Sequence, residues 1–107
     1  MTEFCLVYIT CGSRKEAEGL ANILLQQHIV ACASIVPEVI SRFHWQGKIE
    51  IESEVLLILK TRTDLFASLE EIVKKHHSYK VAEIIAVPII AGSNDYLQWL
   101  ADETNFL

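Results

Sequence analysis

Cys11, His76 and His77 are the side chains of this sequence best suited to chemistry. A thiolate with imidazoles is a ligand set for copper or zinc. Cys11 paired with His76 or His77 is also the only nucleophilic dyad on offer, but no nucleophile signature surrounds Cys11. Two groups of carboxylates stand out as well, Glu50, Glu52 and Glu54 on a predicted strand and Glu70 with Glu71 on a predicted helix. Neither is set in apolar surroundings that would raise a carboxyl group toward neutrality, so both read as solvated faces. Gly12-Ser13 opens a helix, as many anion-tolerant turns do, and forms no glycine-rich phosphate loop. The residues point to no enzyme.

The bulk properties narrow the partners. The chain has 107 residues, of which 51% are hydrophobic and 21% charged, a globular composition that suits a single domain over 1–107. A formal charge of −5 supplies no basic footprint for nucleic acid and none for an anionic membrane surface. No apolar run approaches the roughly 18 residues of a membrane span. No positive charges precede the short apolar run at 4–9, so it does not read as a secretory signal. Cys5, Cys11 and Cys32 are too few and odd in number for a disulfide framework, which favours a reducing compartment and a cytoplasmic location.

The elements that must position these residues follow from periodicity. Residues 4–10 are apolar almost throughout, as in a strand covered on both faces. Gly12 ends it, and Ser13-Arg14-Lys15-Glu16 forms a capping box opening a helix over about 13–27, with Ala17, Leu20, Ala21 and Leu24 on its apolar stripe. A second strand runs over 29–36, is stopped or bent at Pro37, and continues over 39–45. Gln46-Gly47 turns the chain into a long return strand over 48–61, alternating at first and continuously apolar over 55–59. A second helix over about 63–76 carries Leu65, Phe66, Leu69, Ile72 and Val73. A strand over 82–88 and a short helix opened by Ser93 and Asp95 complete the chain. The class is therefore α+β, a ferredoxin-like βαββαβ plan on an antiparallel sheet, with a long β-hairpin and an extra C-terminal helix.

This topology brings Cys11, His76 and His77 to one rim. The first strand runs up, the third down, and the second helix up again, so Cys11, His76 and His77 all lie where the first strand ends. Successive helical residues point about a hundred degrees apart, so His76 and His77 share one ion only if the helix has ended between them. His76 extends the stripe of Val73 and equally suits a cap on the core, and Cys11 equally suits a plain buried thiol. His28 and His44 are isolated. The hairpin is long for its supporting helices, and its outer half carries Phe43, Trp45, Ile49 and Ile51. Such a ribbon, with an open edge, calls for cover by further copies of the chain.

The sequence resembles the CutA family of divalent-cation tolerance proteins. The resemblance spans nearly the whole chain and rests on Ala31-Cys32-Ala33-Ser34-Ile35-Val36-Pro37, Phe43-His44-Trp45-Gln46-Gly47-Lys48, Glu54 through Lys60-Thr61, His76-His77-Ser78-Tyr79, Glu83-Ile84, Val87-Pro88-Ile89 and Asp95-Tyr96-Leu97-Gln98-Trp99-Leu100. It implies a PII-like homotrimer with interlocked hairpins, binding of copper or another divalent metal, and a link to metal tolerance. The implied metal ligands are Cys11, His76 and His77. It also implies, as the other reading, a regulatory or scaffold trimer taking a small molecule or partner protein in intersubunit clefts lined by Trp45, Lys60, Tyr79 and Glu83. Three positions depart from the family pattern: Ser78 and Ala82 replace prolines, and Ser34 replaces an asparagine.

Overall fold

A computed structural model describes residues 3–104. The elements run β1 (Phe4–Cys11), α1 (Arg14–Gln26), β2 (Cys32–Trp45), β3 (Lys48–Arg62), a 3-10 turn (Thr63–Leu65), α2 (Phe66–His76), β4 (Ile84–Pro88) and α3 (Asn94–Glu103). The strands form one antiparallel sheet in the order β2-β3-β1-β4. This is the expected α+β, ferredoxin-like plan.

Helices α1 and α2 lie on one face of the sheet. Their stripes, Ala17, Leu20, Ala21 and Leu24 with Leu69 and Val73, close over Val7 and Ile9 of β1 and Leu57 and Leu59 of β3. The opposite face is only partly covered. Leu6, Tyr8, Leu56 and Ile58 are half-buried there, and Ile85 and Val87 are exposed. The continuous apolar runs of β1 and the second half of β3 predict cover on both faces, but a single chain covers one. Helix α3 reaches β3, where the Lys60 ammonium lies 5.6 Å from the centre of the Tyr96 ring.

Two boundaries differ from the sequence expectation. The second strand begins at Cys32, because His28 takes a positive φ of 56° and turns the chain out of α1, leaving Ile29 and Val30 buried in the connection. The His28 ring also donates from Nδ1 to the Glu103 carbonyl at 2.8 Å, tying the end of α1 to α3. The last strand begins at Ile84 rather than at Ala82.

The hairpin extends well past the rest of the sheet. β1 runs out at the pair Cys11↔Val55, and β2 and β3 continue alone to the pair Trp45↔Lys48. A bulge between Val36 and Val39 marks the transition, at Pro37, which has no N–H to give the ladder. At the tip Gln46 and Gly47 both have positive φ, 51° and 81°, the combination that matches the twist of a two-residue hairpin. The arm stretches the molecule to 44 × 25 × 23 Å and leaves Ile40, Ile49 and Ile51 more than half exposed.

Candidate functional site

The site forms where β1 ends, α1 begins and α2 ends. Ser13 caps α1 by accepting the Glu16 N–H at 3.1 Å. Glu16 reaches back as a capping box requires, but its Oε1 accepts from the Gly12 N–H at 3.1 Å, one residue beyond the cap. Its Oε2 accepts from the Ser78 N–H at 2.7 Å. The carboxylate thus joins the first turn of α1 to the segment that leaves α2. A proline at 78, as the resemblance would have it, has no N–H to give; serine supplies one, and Glu16 takes it.

Helix α2 ends at His76, and His77 has extended backbone, φ −83° and ψ 141°. The two histidines therefore diverge. The His77 side chain is fully buried, while His76 is exposed and stands outside the cluster. The apolar stripe ends at Val73 instead of continuing to His76. His77 Nε2 donates to the Thr10 carbonyl at 2.8 Å, which leaves the Nδ1 lone pair to accept the Tyr79 N–H at 2.9 Å. Nδ1 lies 3.7 Å from Glu16 Oε2. One donor atom each from Cys11, Glu16 and His77 fall within 4.8 Å of one another.

Electrostatics make this a guarded cluster. Cys11 is fully buried, and burial, with the nearby Glu16 and Glu54 carboxylates, pushes its thiol up to about 12. Burial alone would raise the Glu16 carboxyl, but the donated hydrogen bonds of Ser78 and Gly12 outweigh it and hold the group below its usual range. Glu54 is buried as well, contrary to its reading as a solvated strand residue. It sits at the last hairpin position before the core, where its carboxylate accepts the Tyr79 hydroxyl at 2.8 Å. Burial first, and then that carboxylate, raise the Tyr79 phenol.

The donor set suits a divalent ion of borderline softness: a sulfur, an imidazole nitrogen and a carboxylate oxygen. The outer bond from His77 Nε2 to a backbone carbonyl is the arrangement that orients metal-binding imidazoles and directs the other nitrogen inward. Cys11 must lose its proton to serve. Nδ1, with one lone pair, must be released by the Tyr79 amide, and Oε2 must share its charge with the Ser78 amide.

A cleft of about 690 Å³ opens beside this cluster, between the hairpin arm and residues 79–83. Trp45, Tyr79 and Glu83 line it, with Phe43, Glu52 and Glu54. Lys60 does not, because its register partner is Cys32, toward the other end of β3. Its ammonium faces Tyr96 and lies 3.8 Å from the Cys32 sulfur. Within one chain the four residues named for a cleft are therefore divided.

A family model described as CutA1 divalent ion tolerance protein matches residues 5–103. The chain belongs to that family. It is 44% identical over 99 residues to the chloroplastic protein CutA of Arabidopsis thaliana, covering 92% of this chain and 54% of that protein. To the divalent-cation tolerance protein CutA of Thermus thermophilus it is 41% identical over 99 residues, covering 92% and 96%. Among solved structures it is similar to the periplasmic divalent cation tolerance protein CutA from Archaeoglobus fulgidus, with a TM-score of 0.93 at 38% identity, covering 95% of this chain and 99% of that one. The chain spans about half the length of the plant and animal CutA relatives it matches.

Glu16 escaped the sequence reading as a site residue because its role as a helix cap already accounted for it. The signal was present: a cap one turn into α1 lies on the same rim as Cys11, and the topology that unites Cys11 with the histidines unites Glu16 with them too. The burial and high proton affinity of Cys11 give a direct check. In the native protein at pH 8, iodoacetamide should modify the half-buried Cys32 well before Cys5 or Cys11, read by peptide mass spectrometry. Labelling of Cys11 at the rate of Cys32 would contradict the closed cluster.

Proposed function

We propose that this protein binds a divalent cation of the copper or zinc type through Cys11, His77 and Glu16, and that it works as a homotrimer. It is a binding protein of metal tolerance rather than a catalyst. The observation that carries the reading is the convergence of a thiol, an imidazole with its lone pair turned inward and a carboxylate at one buried rim. The family's description as divalent ion tolerance proteins supports it. His76, exposed at the end of α2, has no part in the proposed donor set. The bound ion would hold the thiolate form of Cys11 and link β1, α1 and α2 more firmly.

Titration of the reduced protein with Zn²⁺ or Cu²⁺ tests this. The expected result is saturable binding with about one proton released per ion, since Cys11 gives up its thiol proton. Cys11→Ala and His77→Ala should each weaken binding by on the order of 100-fold, the loss of a direct ligand, while His76→Ala leaves it unchanged. Binding that survives both losses, or that follows His76, would overturn the assignment.

The assembly rests on surface the single chain leaves open. The hairpin arm exposes Ile40 at 62% and Ile49 at 64%, together with Phe43, Trp45 and Ile51. The second sheet face adds Ile85 and Val87. Apolar surface of this extent, beside strand edges, is covered in stable proteins by self-association. A PII-like trimer fits both features, with arms crossing between subunits and sheet faces turned inward. Free thiols at Cys5, Cys11 and Cys32 suit a reducing compartment, and we place the protein in the cytoplasm. Sedimentation at micromolar concentration should give a particle of three times the 12.1 kDa chain mass. A stable particle of the single-chain mass would remove the trimer.

A further inference from the structure

Two consecutive backbone amides donate to atoms that the cation site would use: one takes the single lone pair of His77 Nδ1, the other competes for the charge of Glu16 Oε2, which keeps a second lone pair. The Ser78 N–H is donated to Glu16 Oε2 at 2.7 Å, and the Tyr79 N–H to His77 Nδ1 at 2.9 Å. These acceptor atoms lie 3.7 Å apart. Glu16 has no idle oxygen in this arrangement, because Oε1 is held by the Gly12 N–H. Successive amides turned toward acceptors form a small concentration of positive charge. Here that charge is supplied from within the chain, at the place where Cys11, Glu16 and His77 converge.

We infer that the amides of Ser78 and Tyr79 are an internal surrogate for the cation, and that Ser78 thereby sets the affinity of the site. The inference rests on the proposed cation binding by Cys11, Glu16 and His77. The two amides are unequal partners. Tyr79 is anchored at its far end by its hydroxyl, which donates to Glu54 at 2.8 Å, and its ring packs 4.8 Å from the His77 ring. Ser78 is exposed and lies between the buried His77 and this anchored tyrosine. Its N–H is therefore the donor that a single substitution removes with least disturbance. The backbone at His77, φ −83° and ψ 141°, is the conformation that precedes proline without a clash.

Ser78→Pro removes the N–H, and Ser78→Ala keeps it while removing the hydroxyl. Zn²⁺ affinity, measured by competition with a chromophoric chelator, should tighten about tenfold or more in Ser78→Pro, the worth of one hydrogen bond to a charged acceptor. It should stay within about twofold of the parent in Ser78→Ala, which retains the competing bond. In the unaltered protein, amide hydrogen exchange at Ser78 and Tyr79 should be slow without metal and should quicken at saturating Zn²⁺ as the two N–H groups are released.

If the parent binds Zn²⁺ through Cys11 and Ser78→Pro binds no more tightly, the surrogate idea is overturned and the cation site stands. If neither protein binds, both fall. Should Ser78→Pro fail to fold, the exchange measurement decides alone, because Ser78 and Tyr79 amides that stay protected at saturation overturn the inference.

Discussion

One hydrogen bond organises the site, the bond from His77 Nε2 to the Thr10 carbonyl. It fixes which ring nitrogen carries the proton and so decides that Nδ1, not Nε2, faces Glu16. It also joins the end of α2 to the last turnless stretch of β1, next to Cys11. A buried imidazole must satisfy both nitrogens or lose stability, and His77 does so with two backbone partners, Thr10 before it in space and Tyr79 after it in sequence. The loop from Ser78 to Glu83 is placed by this requirement, and the cleft beside it inherits its wall from the same loop.

A second constraint shapes the molecule at larger scale. The sheet is apolar on both faces, but two helices of three to four turns cover one face only. The hairpin compounds the problem, because it continues past the end of β1 at the pair Cys11↔Val55 with no third strand beside it among the described residues. The candidate site lies at this same junction: Glu54, the residue beside Val55, enters the core at the base of the arm and accepts from Tyr79. A force on the arm is thus one hydrogen bond away from the loop that carries Tyr79. The proposed assembly through the arm and the proposed cation site would share this structural element.

Much of this was legible in the residues. Hydrophobic periodicity locates the strands and helices to within a few positions, and the up-and-down order of the βαββαβ plan brings Cys11 and the paired histidines to one rim. The sequence also places the end of α2 near residue 76, where it stops; what the sequence leaves open is which of the two histidines turns inward. Adjacent histidines are equivalent in a pattern; they become a buried donor and an exposed one only because the helix ends between them, at His76. Glu54 was misjudged for a related reason. Alternation with Glu50 and Glu52 suggests a solvated face, but the bulge at Pro37 and the end of β1 change what the strand meets at Glu54, next to the core residue Val55. Lys60, near the end of β3, lies apart from Trp45, Tyr79 and Glu83 within one chain, a separation that the motifs alone do not show.

In the proposed cation site the His77 Nδ1 lone pair, the Cys11 sulfur and the Glu16 carboxylate act together. The most direct test is a crystal of the reduced protein grown with Zn²⁺ and measured on both sides of the zinc absorption edge. The expected result is an anomalous peak bonded to Cys11 Sγ and His77 Nδ1, with the Glu16 carboxylate turned toward it. A peak at His76 or at the acidic hairpin with the buried rim unchanged would contradict it.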